Sequence, residues 1–249
     1  MSAVRADQLV DVVRLRAEAD AYARESQARE RQLHRYAADL RETFIEERAR
    51  TQELRDSYVA TVRALTNAVE ARDAYTGSHA ERVTAYGLAL ALEIDPKLAA
   101  DPQVEFGFLL HDIGKVAVPD GILHKQAPLT EDEQRLIEEH PDTGCRILRH
   151  VDYLTGAKSV IRSHHERWDG TGYPDGLRGE EVPLAARIFA ISDALDAIMT
   201  DRPYRRGVPL AAARSEIVRC AGKQFDPMVI EAFQRIPDAE LELIRQEIE

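Results

Sequence analysis

The sequence predicts an all-α protein, a helical bundle preceded by a long N-terminal helix or coiled coil, and three observations lead there. Apolar residues make up 44% and charged residues 31% of the chain while aromatics make up only 6%, a balance that suits amphipathic helices better than sandwiches or barrels built on aromatic and β-branched strands. The first 66 residues contain neither Pro nor Gly and are rich in Glu, Arg, Ala and Leu. Beyond them, Gly, Pro and His become frequent, with helix boundary signals between periodic apolar stretches. With 249 residues there is chain enough for one large domain and an appendage, each able to bury its own apolar face. The expected division is 1–66, a long helical segment, and 67–249, the bundle domain.

In the N-terminal segment one heptad register puts Ala37, Phe44, Thr51, Tyr58 and Leu65 at one core position, with Leu33, Leu40, Glu47, Leu54 and Thr61 at the other. Such a seam pairs helices into a coiled coil, although Glu47 and the threonines weaken it and it fades upstream of Leu33. A solvated or intramolecularly packed helix is the alternative. Further on, Ser78-His79-Ala80-Glu81 reads as a capping box opening a helix through Leu92, and Thr130 to Glu133 reads as a second. Gly114 is expected to end the helix that carries Phe106 to Asp112. The segment Trp168 to Pro183 concentrates Gly170, Gly172, Gly176 and Gly179 and reads as an ordered loop between helices. Helical periodicity returns from Ala185 to Met199, and Pro237 can open a last amphipathic helix towards Glu249.

Charge and cysteine usage exclude several functions. The net charge is -11, and residues 1–60 hold 12 acids against 11 arginines, so about -10 belongs to the remainder. An acidic body argues against non-specific nucleic-acid binding. The longest apolar stretch, Ala85 to Leu92, is far too short to cross a bilayer, and Asp7 interrupts any secretory signal pattern. A cytoplasmic location without membrane insertion is expected. Cys145 and Cys220 match neither a disulfide framework nor a zinc spacing, and read as packing residues.

Five of the eight histidines, His79, His111, His140, His164 and His165, fall in the helical body or at predicted helix ends, and Asp112 follows His111. Imidazole and carboxylate together are a ligand set for Fe, Mn, Zn or Ni. The run His111-Asp112-Ile113-Gly114-Lys115 resembles the signature of HD-domain phosphohydrolases. The run His164-His165-Glu166-Arg167-Trp168-Asp169-Gly170-Thr171-Gly172-Tyr173-Pro174 resembles the longer and more specific HHExxDGxGYP signature of the bacterial HD-GYP subfamily. Supporting resemblances run from Arg72 to Pro227, through Arg72 to His79, His140-Pro141, Arg187-Ile188, Ser192-Asp193 and Arg202 to Arg205.

The resemblance implies an HD-type helical bundle and hydrolysis of the phosphodiester of cyclic di-GMP to a linear dinucleotide, with onward hydrolysis to GMP left open. Such chemistry needs a nucleophile at neutral pH and a clamp for phosphoryl charge, which two metals about 3.5–4 Å apart supply. By resemblance, Asp112 bridges two divalent metals, Fe or Mn; His79, His111 and Asp193 complete one shell, and His140, His164 and His165 the other. A third metal in the family goes with a Glu four residues before the first His; here that position is Tyr75, which points to two metals and to a product that stops at the linear dinucleotide.

Lys115 is placed to contact the scissile phosphate or assist the leaving oxygen. Arg202 and Arg205 can fork onto phosphate oxygens. Asp196 lies on the helix face of Asp193 and is grouped with the substrate contacts, as an orienting residue or as one half of an ion pair. Gly172 permits close backbone approach, and Tyr173 offers a face for a base or a hydroxyl for phosphate. Trp168 reads as a packing anchor. A homodimer through the N-terminal helix and contact with a diguanylate cyclase or a sensor or receiver protein are expected partners. Two other readings stay open: a low-activity scaffold that binds the nucleotide or a cyclase, and a phosphodiesterase for another cyclic dinucleotide such as cyclic GMP-AMP.

Overall fold

The computed structural model describes residues 2–72, 78–201 and 206–248, with side chains from Val13 onward. Tyr75, Arg202 and Arg205, on which three expectations rest, lie outside the described residues. Among those described there are helices and no β-strand; two residues, Ala221 and Phe225, form an isolated bridge. No described helix is long and apolar enough to cross a membrane.

The first helix, α1, runs Ser2–Glu70. The chain divides into two compact units, 1–58 and 59–249, so the division falls eight residues before the boundary read from the sequence. The reason is packing: Val62 and Thr66, still within α1, are buried, and Val62 joins a core cluster with Phe106, Leu109, Leu110 and Ile161. In the first unit, Leu33, Leu40, Phe44 and Leu54 are exposed.

The second unit continues with α2 (His79–Ile94), α3 (Pro96–Ala99) and α4 (Pro102–Leu109). Asp95 and Asp101 cap α3 and α4 through side-chain bonds to Lys97 N and Gln103 N, each with Pro as the first helical residue. Then come α5 (Asp120–Leu123), α6 (Glu131–Glu138), α7 (His140–Ile147) and α8 (Ala157–Ser163). The box expected at Thr130 is present, with both reciprocal bonds to Glu133. After the loop follow α9 (Leu184–Met199), α10 (Leu210–Arg219), α11 (Pro227–Arg235) and α12 (Asp238–Glu247), the last preceded by Pro237 as expected.

Burial follows helical spacing. On α2 the buried positions include Ala80, Val83, Gly87, Leu90 and Ala91, and on α9 Ala185, Ile188, Phe189, Ser192, Leu195, Asp196 and Met199. These stripes meet in the larger core cluster, which α10 and α11 extend with Ile217, Val229 and Phe233. Cys145 and Cys220 are both free and pack at the margins of the two clusters.

Two boundary expectations are corrected. The helix before the His-Asp pair ends at Leu109, not at Gly114, and residues 113–117 form a 3-10 turn, so His111 and Asp112 sit in a sharp bend. Ser78 does not cap α2: its backbone is left-handed, φ 53°, and its side chain makes no capping bond. A cap side chain reaches the helix N–H groups from an extended backbone, which a left-handed residue lacks.

Candidate metal centre and active site

Local folding sets the histidine rings. His111 Nδ1 lies 2.9 Å from Phe108 O, His140 Nδ1 2.7 Å from Ile137 O and His164 Nδ1 2.8 Å from Ile161 O. Each is the carbonyl three residues back, exposed where a helical turn ends. A carbonyl only accepts, so Nδ1 carries the proton and Nε2 of the neutral ring is left with its lone pair. His79 follows the same rule with a carboxylate in place of a carbonyl: its Nδ1 lies 2.7 Å from Asp196 Oδ2. This is the arrangement in which a histidine is oriented to ligate through its other nitrogen.

The lone pairs converge. His140 Nε2 and His164 Nε2 stand 3.1 Å apart, two acceptors facing each other. Ligating atoms of Asp112, His140, His164 and His165 all lie within 4.8 Å of one another. Asp112 Oδ1 is buried without a hydrogen-bond partner among the described residues, 3.3 Å from His140 Nε2, which has no proton to offer once Nδ1 holds it. Oδ2 is 3.0 Å from His111 Nε2 and 2.8 Å from Lys115 Nζ. The two oxygens of Asp112 therefore face two separate groups of side chains. On the Oδ2 side, His79 Nε2 is 3.5 Å from Asp193 Oδ1, and the His79 and His111 rings are 5.8 Å apart.

Electrostatics favours a cation here. Burial penalises the charge of Asp112, yet His111 and Lys115 beside it hold its carboxyl well below the usual range. Burial, with the neighbouring imidazoles, pushes His164 well below its ordinary value, and burial with His140 takes His165 down to about 3. Both rings are neutral near pH 7, the state that ligates. Buried lone pairs without donors, a carboxylate kept ionised and neutral imidazoles fit divalent metal of the borderline class.

Asp196 is 3% exposed, and its oxygens are committed: Arg82 Nε lies 2.6 Å from Oδ1, while Arg82 Nη2 (3.1 Å) and His79 Nδ1 share Oδ2. Burial works against its charge, but His79 and Arg82 keep its pKa below the ordinary value. It sits on the buried stripe of α9 against His79 and also lines the recess that holds Asp112 and Lys115, while Asp193 stands nearer the surface. Arg82 escaped sequence reading; its position three residues after His79, on the same helix face, was the available signal.

The loop is ordered by Glu166, a motif residue given no role from sequence. Buried, it accepts from Asp175 N (2.8 Å), Gly176 N (3.1 Å) and Leu177 N (3.1 Å). Gly172 closes the turn: a Cβ there would lie 2.5 Å from Arg167 N and Glu166 Cα. Tyr173, after a bond from its N–H to His165 O, stacks on the His165 ring at 4.7 Å. Trp168 serves as an anchor, its backbone N–H donating to Gln224 O and its ring beneath the Arg187 guanidinium. Glu166→Ala is expected to leave three loop amides without an acceptor and to cost about 2–3 kcal/mol. Hydrogen exchange should show residues 172–177 losing protection while the core helices keep theirs.

Two recesses open onto the cluster. One, of about 330 Å³, is lined by Thr66, Glu70, His79, Asp112, Lys115 and Asp193; the other, of about 670 Å³, by Tyr173, Ala194, Ile198, Glu216, Gln224 and Phe225 among others. His165, Asp193 and Ala197 line both.

The bundle of short helices thus carries a His-Asp bend and converging histidine lone pairs, a donor set that fits divalent metal. Comparison with known proteins names the family. The HD domain model matches residues 63–229, and the chain belongs to that family. A cyclic di-GMP phosphodiesterase of Pseudomonas aeruginosa is 46% identical over 167 residues, covering 65% of this chain and 39% of the relative. A 3'3'-cGAMP-specific phosphodiesterase of Vibrio cholerae is 36% identical over 181 residues, covering 72% of this chain and 35% of the relative. The chain thus spans well under half the length of either. The crystal structure of a Vibrio cholerae cyclic GMP-AMP specific phosphodiesterase superposes with a TM-score of 0.58 at 19% identity, covering 74% of this chain and 50% of that one, which shows the shared fold.

Proposed function

We propose that the protein is a metal-dependent phosphodiesterase that opens cyclic di-GMP to the linear dinucleotide. The observation that carries this reading is the pair of Nε2 lone pairs 3.1 Å apart beside the unpartnered Asp112 Oδ1, within a family whose curated relatives of this sequence class are named for cyclic dinucleotide hydrolysis. Asp112, His140, His164 and His165 would hold one divalent metal, and Asp112, His111, His79 and Asp193 a second, with Fe or Mn favoured by the donor set. Metals there supply Lewis-acid charge to the phosphoryl oxygens and a nucleophile at neutral pH.

The chain's own residues do the rest. Lys115, at the mouth of the smaller recess, offsets the charge that grows on the phosphate and can hand a proton to the departing ribose oxygen. Asp196 keeps the His79 ring in place, and Glu166 holds the loop that sets Tyr173 over His165. The larger recess, lined by Tyr173, Ala194, Ile198 and Phe225 among others, suits a flat base. Arg202 and Arg205 remain proposed phosphate contacts. The exposed apolar row of α1, Leu33, Leu40, Phe44 and Leu54, supports pairing with a second copy, which sedimentation of the full chain would detect as a dimer. A cytoplasmic site of action and contact with a cyclase or receiver protein complete the reading.

The test is anaerobic hydrolysis by protein loaded with Mn(II) or Fe(II), with products separated by chromatography. Linear dinucleotide from cyclic di-GMP is the expected result. Turnover confined to cyclic GMP-AMP would transfer the function to that substrate, a reading favoured by the similarity to a cGAMP-specific relative. A filled site with no turnover of either would leave a binding scaffold.

A further inference from the structure

The helix that brings His79 to the site is capped by another helix. The N–H groups at the start of α2 need acceptors, and Ser78, left-handed and without a capping bond, supplies none from its side chain. Glu70, the last residue of α1, takes that place: its Oε1 lies 2.7 Å from Ala80 N. Glu81, which sequence pairs with Ser78, instead meets Arg63 of α1 at 2.9 Å. One turn before Glu70, buried Thr66 donates to Leu109 O at 3.0 Å, the carbonyl left open where α4 ends just ahead of His111 and Asp112. Glu70 also lines the recess that contains His79, Asp112 and Asp193.

From these contacts we infer that Glu70 is a positioning residue for His79. The imidazole of His79 is anchored by Asp196, but its backbone is anchored one residue away by the Glu70 carboxylate. Two fixed points are needed because a ring turned by Asp196 alone can still swing with a frayed first turn. The end of α1 thereby holds both arms of the site, Thr66 on the His111-Asp112 arm and Glu70 on the His79 arm. A shift of α1 along its axis would reach both arms, the start of α2 through Glu70 and Arg63 and the end of α4 through Thr66. This inference rests on the metal-centre reading above and adds the means by which α1 can regulate it.

The test compares three variants of the full chain by Mn(II) titration calorimetry and by hydrogen exchange of the first turn of α2. Glu70→Gln keeps an oxygen at the same reach and is expected to bind both metal equivalents as the wild type does. Glu70→Asp keeps the charge but is one methylene short, and Glu70→Ala removes the group; both are expected to weaken one of the two equivalents about 10–100-fold and to speed exchange at Ala80. Melting temperature checks that each variant is folded. Equal metal binding by all three would overturn the inference, as would a Gln variant as damaged as the Ala variant, which would make Glu70 a ligand or a charge instead of a cap. A wild type that takes up no Mn(II) would overturn it together with the metal centre. Absence of nucleotide hydrolysis, with metal uptake intact, would remove the proposed substrate and leave the Glu70 assignment to be judged on binding and exchange.

Discussion

Asp112→Ala is expected to abolish hydrolysis of cyclic di-GMP, by at least about 10³-fold, and to abolish it by emptying the site. Oδ1 of Asp112 faces His140 and His164, and Oδ2 faces His111 and Lys115, so this one carboxylate stands between the two halves of the site. Loss of a positioning residue around a ligand already costs about 10–100-fold in metal affinity, and loss of a carboxylate common to two shells costs more. Stability provides a second readout. At a metal concentration about 100 times its Kd, binding stabilises the folded state by roughly 2.7 kcal/mol, which for a domain of this size corresponds to about 5–10 °C in Tm. Wild type should show that rise with Mn(II), and Asp112→Ala should show none. Without metal the variant loses the Lys115 ion pair as well as the desolvation cost of the buried Oδ1, two opposed effects, so the metal-dependent rise in Tm and not the metal-free Tm is the readout. A metal-dependent rise of the same size in the variant would remove Asp112 from the centre.

Gly114→Ala is expected to be the most damaging single-methyl change. An added Cβ would stand 1.9 Å from His140 O and 2.7 Å from Gly144 N. Both are backbone atoms of α7, so no side chain can rotate away; the His-Asp bend and the start of α7 must separate. That separation breaks apart Asp112 and His140, whose facing atoms lie 3.3 Å apart. A loss of about 3 kcal/mol or more is expected, seen as a fall of roughly 6–12 °C in Tm, together with weakened Mn(II) binding. Gly121→Ala is the matched control, since a Cβ there meets nothing within 4 Å in the short helix α5; its Tm should stay within about 1–2 °C of wild type. If the two variants melt alike, the close approach of the bend to α7 is not what holds the site together.

Much of this was legible along the chain. The all-helical class followed from composition and from the spacing of apolar residues, because a helix buries one stripe and that stripe repeats in sequence. The HD run named residues that line the smaller recess and the GYP run residues that line the larger, with His165 in both, since their spacing is local and chemically unusual. The capping box at Thr130 was readable for the same reason, both partners lying within one turn of each other.

The misreadings concern residues whose partners are distant. Ser78 and Glu81 fit the local pattern of a box, yet Glu70 and Arg63 serve α2 instead, from a helix whose identity as a neighbour depends on the fold. Gly114 looked like a helix stop; its importance is the carbonyl of His140, 26 positions along the chain, pressed against its Cα. Asp196 shares a helix face with Asp193, and its partners Arg82 and His79 lie 114 and 117 positions away along the chain, which no local pattern records. Residue types and local hydrogen-bond patterns determine which groups can ligate and where helices begin. Which lone pairs face one another at 3.1 Å, and which helix end caps which, depends on packing between segments far apart in sequence, and hydrophobic burial carries no local record of its partner.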